Sequence, residues 1–283
     1  MKVHFKRVGV IGVGLIGSSF SLALKKLGIA DEIWGYSNSG CSAQKALTMG
    51  IIDRISNQIK DIAINCELIF IAIPVLSIPD VLKEISEYVD EKTIVTDGGS
   101  TKHFVRQCHK YFKYKNFVGG HPIAGTEKSG PEAGFAELFN NSACIVTPIE
   151  ETDKNKLEII INIWKLIGMK VYLMSPEEHD KIMANISHMP HVIAYSLVDA
   201  VKDKYFDGMG ITKLAGGGFR DFTRIAKSDE RMWTDIFLAN RDFLLLAIED
   251  FQESLTNIKT YIEQKNASKI KEFLIKTKKV LID

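Results

Sequence analysis

From residue 7 to about residue 174 the chain alternates short apolar runs rich in Val and Ile with longer segments whose apolar residues recur at helical spacing. The runs at 7–11, 32–36, 68–73, 93–96, 116–118, 143–147 and 170–173 are too short for helices and apolar on both faces. This pattern predicts strands of a largely parallel sheet. Such strands need cover on both sides, and the helix-like segments at 15–27, 78–88, 102–111 and 153–167 supply it.

After Ser175 the strand pattern stops, and Pro176, Glu177 and Glu178 form an acidic helix start of the kind the helix dipole favours. The remainder reads as helices. Residues 232–255 carry Phe237, Leu238, Phe243, Leu244, Leu245, Ile248, Phe251 and Leu255 in a stripe too broad for one solvated face, which predicts one long helix packed on a second copy of the chain. The expected division is therefore an α/β domain over residues 1–174 and an all-helical domain over 175–283 that forms a homodimer.

Composition narrows the ligand. The 36 Lys plus Arg nearly balance 35 Asp plus Glu, so no excess field draws in nucleic acid or an anionic membrane, and a small molecule is expected instead. Cys41, Cys66, Cys108 and Cys144 are far apart and suit a reducing cytoplasm. The basic start followed by an apolar run at 8–24 imitates a secretion leader, but Gly12, Gly14 and Gly17 interrupt the run and Lys25 and Lys26 follow it.

Those glycines form Gly12-Val13-Gly14-Leu15-Ile16-Gly17, a GxGxxG pattern directly after an apolar strand and at the head of an apolar helix. In that context Gly12 permits the tight turn, Gly14 lets a pyrophosphate approach the backbone, and Gly17 allows close helix-to-strand packing. The fold class expected is a Rossmann-type, mostly parallel sheet, with Leu15, Ile16, Ser37, Pro74 and Asp97 completing the cofactor contacts. The second strand ends in Tyr36-Ser37-Asn38-Ser39, without the acid that holds an NAD ribose and without an Arg to neutralise a 2′-phosphate. NAD is the expected cofactor and NADP the alternative. Lys45 is the one nearby cation, read as a solvated charge on a helix beginning near Ser42.

Two further loops leave carboxyl ends of predicted strands, where open α/β sheets bind ligands. One is Asp97-Gly98-Gly99-Ser100-Thr101-Lys102; the other runs Gly119-Gly120-His121-Pro122-Ile123-Ala124-Gly125-Thr126-Glu127-Lys128-Ser129-Gly130. In isolation Ser100 reads as a helix cap and His121 as a loop histidine. No metal site is expected from His179, His188 and His191, because Pro190 breaks their spacing and no thiolate is near.

Together with Ser187-His188-Met189-Pro190-His191 and the run from Gly216 to Ala226, which contains Phe219-Arg220-Asp221-Phe222-Thr223-Arg224, these segments closely resemble the prephenate and arogenate dehydrogenase family over nearly the whole chain. The resemblance implies NAD(P)-dependent oxidative decarboxylation of prephenate, or of arogenate as the alternative, on the route to tyrosine. It implies that His121 takes the proton of the substrate's ring hydroxyl, which suits a near-neutral pKa. It further implies that Ser100 holds the same hydroxyl, Arg224 the ring carboxylate and His191 the side-chain end. Thr126 and Glu127 would stand at the pocket mouth, and Arg220 and Asp221 at an inter-subunit gate.

Overall fold

The computed structural model describes residues 3–126 and 128–281. Eight strands form one sheet: β1 (Phe5–Ile11), β2 (Ala30–Tyr36), β3 (Arg54–Ile55), β4 (Leu68–Ile71), β5 (Ile94–Asp97), β6 (Phe117–Ile123), β7 (Ala143–Thr147) and β8 (Lys170–Leu173). Their order is β3-β2-β1-β4-β5-β6-β7-β8. All neighbours run parallel except β6 and β7, so the sheet is mostly parallel, as the apolar runs predicted. The two-residue β3 escaped the sequence reading because Arg54-Ile55 carries no periodicity.

Helices α1 (Leu15–Leu27), α2 (Gly40–Thr48), α3 (Ile59–Asn65), α4 (Ile78–Ser86), α5 (Val105–His109) and α6 (Lys154–Leu166) connect the strands. One face of the sheet buries Phe20, Phe70, Phe139 and Trp164, with the Phe20 and Phe70 rings 4.2 Å apart. The other buries Ile11, Ile71, Ile78, Leu82, Phe104 and Phe117. The sheet reverses direction of growth between β1 and β4, and there Gly12 (φ 98°) meets the loop after β4 so closely that a Cβ would lie 2.2 Å from the Ala72 carbonyl oxygen. Open α/β sheets place nucleotides outside this switch point.

Ser175 opens the second half with a reciprocal cap: its hydroxyl accepts from the Glu178 backbone N–H while the Glu178 carboxylate accepts from the Ser175 N–H. Helix α7 (Pro176–Met183) runs through a widened π-type turn at Ala184–His188 into α8 (Met189–Asp199). Pro190 accounts for the widening, since it has no N–H to donate and its ring would crowd the carbonyl one turn back. Then follow a hairpin of β9 (Tyr205–Phe206) and β10 (Met209–Gly210), α9 (Gly217–Thr223), α10 (Glu230–Ala239), α11 (Arg241–Glu263) and α12 (Ala267–Val280). The hairpin corrects the expectation that strands end at Ser175; its turn, Asp207-Gly208 at positive φ, closes two-residue strands too short to show alternation.

The single helix expected over 232–255 is two helices broken at Asn240 (φ −111°, ψ 28°). Asn240 is buried, and its amide Nδ2 donates to the Asp180 carbonyl at 2.7 Å and to His188 Nδ1 at 3.0 Å. The break divides the apolar stripe. Trp233 and Ile236 of α10 return to the second core of the sheet, whereas Leu238, Leu245, Leu246 and Leu255 stay exposed. Of the stripe, that exposed group is available for a second copy to cover.

Replacing Asn240 with Ala would leave the Asp180 carbonyl and His188 Nδ1 without their donor in a dry site, a loss of about 1–3 kcal/mol. Urea unfolding should register this as a lower midpoint at unchanged slope; a midpoint equal to that of the parent chain would contradict it.

Candidate active site

The site is built on the loop that follows β5. Asp97, the last residue of that strand, and Lys102 are both fully buried, and Lys102 Nζ donates to Asp97 Oδ2 at 2.6 Å and to the Gly99 carbonyl at 2.7 Å. Asp97 also accepts from the Gly99 N–H (2.9 Å) and, across the sheet, from the Gly120 N–H (3.0 Å). Gly99 and Gly120 must lack side chains here, because a Cβ would stand 2.9 Å from Asp97 Oδ2 and 3.0 Å from its carbonyl oxygen respectively. The Asp97 carboxylate is thus enclosed and holds the loop to β6.

Gly120 precedes His121, at the carboxyl end of β6. His121 Nδ1 lies 2.8 Å from Nε2 of His179, and His179 Nδ1 lies 2.7 Å from Asp180 Oδ1. That Asp180 oxygen also accepts from the Lys102 backbone N–H at 2.7 Å. The donors can be assigned in sequence. A carboxylate only accepts, so His179 carries its proton on Nδ1 and offers a lone pair at Nε2; His121 must then donate from Nδ1, which leaves its own Nε2 as a lone pair. The arrangement leaves His121 with a lone pair at Nε2 and a tautomer set by the Asp180–His179 chain.

Burial dominates the electrostatics. It drives His121 well below the ordinary imidazole range, with repulsion from His179, Lys102 and His188 acting in the same direction. His179 falls to about 2 and His188 to about 4, again chiefly through burial. Asp180 is pushed up to about 6 by burial, partly offset by the Lys102 N–H and the Lys102 charge. His121 therefore lies below the near-neutral range expected from sequence, because burial leaves the charged form little water and, among the described residues, no carboxylate is hydrogen-bonded to the ring.

His179, Asp180 and Lys102 were not singled out as catalytic machinery from the sequence; His179 entered only as a metal candidate, and both its ring nitrogens are engaged in this relay. The usable signal was the His-Asp pair just after a capped helix start. Ser100 lies in the same loop, half-buried, and does not cap a helix, since α5 begins five residues later. His191 sits on α8 with its ring stacked on Trp233, centroids 3.5 Å apart, and its Nδ1 donates to the Ser187 carbonyl at 2.9 Å. Arg220, Asp221 and Arg224 lie exposed on α9 and the turn after it, which pack on α8. Among the described residues no hydrogen bond or ion pair joins these three to the His121 cluster. Thr126 is exposed and accepts from the Lys128 N–H; Glu127 lies outside the described residues.

At the switch point, Gly14 precedes α1 with no side-chain cap and no acid in the first turn. A Cβ there would meet nothing within 4 Å, so the amides of Leu15 and Ile16 border open space that suits a pyrophosphate. Pro74 is exposed in the loop after β4 and Ser37 half-buried after β2. Helix α2 begins at Gly40 rather than Ser42, capped by Ser39, and Lys45 pairs with Glu132 at 3.0 Å instead of standing free. Cys41 is exposed and the other three cysteines are buried and unbridged. Among the described residues no helix is long and apolar enough to cross a membrane.

Two family models match the chain in tandem, one described as prephenate dehydrogenase, nucleotide-binding domain, over residues 20–173 and one as prephenate dehydrogenase, dimerization domain, over 175–276. The prephenate dehydrogenase of Bacillus subtilis is 37% identical over 92% of this chain and 71% of its own. Cyclohexadienyl dehydrogenase of Zymomonas mobilis is 33% identical over 97% of this chain and 94% of its own. The crystal structure of prephenate dehydrogenase from A. aeolicus, in complex with hydroxyphenyl propionate and NAD+, matches with a TM-score of 0.93 at 38% identity and covers 100% of both chains. With a switch-point cradle and a relayed histidine both in place, and two matched domains that together span most of its length, the chain belongs to the prephenate dehydrogenase family.

Proposed function

We propose that this protein is an NAD-dependent prephenate dehydrogenase that oxidatively decarboxylates prephenate to 4-hydroxyphenylpyruvate, and that His121 is its proton acceptor. The observation that carries this reading is the chain Asp180–His179–His121, which presents an unprotonated Nε2 at the carboxyl end of β6. Bound NAD supplies the hydride acceptor. The amides of Leu15 and Ile16, with Gly12, Gly14 and Gly17, would hold its pyrophosphate, and Ser37 and Pro74 would contribute further contacts. Lys45, the cation nearest in sequence to this loop, is paired with Glu132, which disfavours a 2′-phosphate and supports NAD over NADP.

The chain's own residues position and deprotonate the substrate. Ser100 and His121 take the ring hydroxyl, Arg224 the ring carboxylate through its planar fork, and His191 the side-chain end. Thr126 would border the pocket mouth, where the resemblance also sets Glu127, a residue outside the described ones. His121 Nε2 would accept the hydroxyl proton as the carbinol carbon is oxidised, the ring carboxylate would leave as carbon dioxide so that the ring becomes aromatic, and His121 would return the proton to the resulting phenolate. The positive charge arising on His121 is shared toward Asp180 through His179. The protein assembles as a homodimer through its helical half, where exposed Leu238, Leu245, Leu246 and Leu255 need cover and Arg220 and Asp221 would gate the site. Arogenate, which bears an amine in place of the side-chain keto group, is the alternative substrate; a similar structure, Synechocystis arogenate dehydrogenase, matches with a TM-score of 0.81 at 27% identity over 96% of this chain and 97% of its own.

Purified protein given NAD with prephenate or arogenate in parallel assays tests the activity and ranks the two; no turnover of either would refute it. His121→Asn should lower kcat by about 100-fold or more while NAD affinity, followed by fluorescence titration, stays near that of the parent. Ordinary turnover in that variant would remove His121 from the reaction.

The relay also sets a pH dependence. Asp180 must be ionised to accept from His179, so activity is present above its pKa of about 6 and is lost as pH falls through that value. The profile of kcat/KM should therefore have an acid limb with its midpoint near 6, and Asp180→Asn should abolish the limb as well as lower the plateau. An unchanged limb in that variant would assign it to another group.

A further inference from the structure

A second cleft, of about 380 Å3, opens beside α5 and carries a different chemistry. Arg106, Lys110, Lys113 and Lys115 line it, against one acid, Glu151. Arg106 is already engaged, by Glu177 at 2.7 Å and Glu150 at 3.0 Å. Among the described residues none of the three lysines has a carboxylate within 4.0 Å, though Lys113 Nζ lies over the Tyr114 ring at 5.0 Å, so the cleft is lined by three cations without an ion-pair partner. Complementing the carboxyl end of α5 explains Lys110 at most, since that effect fades within one turn.

His109 supplies an independent observation. It forms part of the wall, is only 5% exposed, and its Nε2 has no hydrogen-bonding partner. A buried polar nitrogen left unpaired costs about 1–3 kcal/mol and calls for a partner. Burial keeps the ring below its ordinary pKa, with Lys115 adding to that and Glu151 opposing it. Phe112 and Ile149 give the same cleft an apolar wall.

We propose that this cleft binds a small phosphoryl anion, held by Lys110, Lys113 and Lys115 with His109, and that Phe112 and Ile149 cover the organic body when the phosphoryl group is an ester. The place is remote from the reaction. Lys115 precedes β6, and Ile149 and Glu151 follow β7, which runs antiparallel to it, so both lie at the end of β6 opposite His121. Four residues of strand from Phe117 to His121 separate the two sites by roughly 13 Å. The two sites can therefore be occupied together.

The test is calorimetry on the full chain saturated with NAD, so that the nucleotide cradle is filled, with ionic strength held by sodium chloride. Inorganic phosphate and phenyl phosphate are titrated separately. Saturable heat with at least one is expected; equal affinities identify free phosphate as the ligand, and phenyl phosphate at least about tenfold tighter identifies an ester. The triple variant Lys110→Gln, Lys113→Gln, Lys115→Gln changes only exposed side chains outside the catalytic machinery, and should weaken binding by about tenfold or more with dehydrogenase activity retained. In parallel NMR titrations the His109 ring resonances should move with the same saturation curve. Absence of saturable binding up to about 10 mM, equal binding by the triple variant, or His109 resonances that stay in place would each overturn the proposal.

Discussion

Asp97 and Lys102 face each other with no exposure to solvent, five residues apart in one loop. A buried ion pair returns its desolvation cost only when further donors and acceptors surround it, and here several do. Both carboxylate oxygens accept backbone N–H groups, from Gly99 and Gly120, and Lys102 Nζ has the Gly99 carbonyl as a second acceptor. The pair therefore does more than neutralise itself. It fixes the loop after β5 against the first glycines of the β6 motif, and it positions the Lys102 N–H that binds Asp180. Breaking either partner would leave a charge without compensation in the middle of the domain.

The same pair shapes the electrostatics of the relay. A fixed cation near His121 and His179 opposes a proton on either ring, and burial acts in the same direction. The histidines are consequently neutral and directional across the physiological range, with Asp180 choosing the direction. Asp180 belongs to the helical half of the chain while His121 and Lys102 belong to the sheet, so the relay exists only when the two halves are docked. Asn240 holds the Asp180 carbonyl from behind and His188 beside it.

Helix α10 secures that docking. Trp233 and Ile236 complete the apolar core on one face of the sheet, and the opposite side of the Trp233 ring system carries His191 in a stacked arrangement. The change of architecture near residue 174 is thus not a gap in the core. A helix assigned to the second half closes the first, and the residue expected to meet the substrate's side chain rides on it.

Local signals determined much of this protein. Strand runs of Val and Ile, the GxGxxG turn, the capped start at Ser175 and the loops around Ser100 and His121 were legible because each depends on neighbours within a few residues. Periodicity failed where local and distant demands diverged. Asn240 sits within an otherwise continuous helical stripe and breaks it because a carbonyl sixty positions away needs its amide. The hairpin at 205–210 and the strand at Arg54–Ile55 are too short to carry a pattern. The residue types of the site could be read from the chain, but not their protonation: the low proton affinity of His121, the enclosure of Asp97 and the role of His179 and Asp180 arise from burial and from contacts between residues 58 and 78 positions apart. Desolvation and long-range hydrogen bonds are properties of the packed chain, and only the tertiary structure decided them.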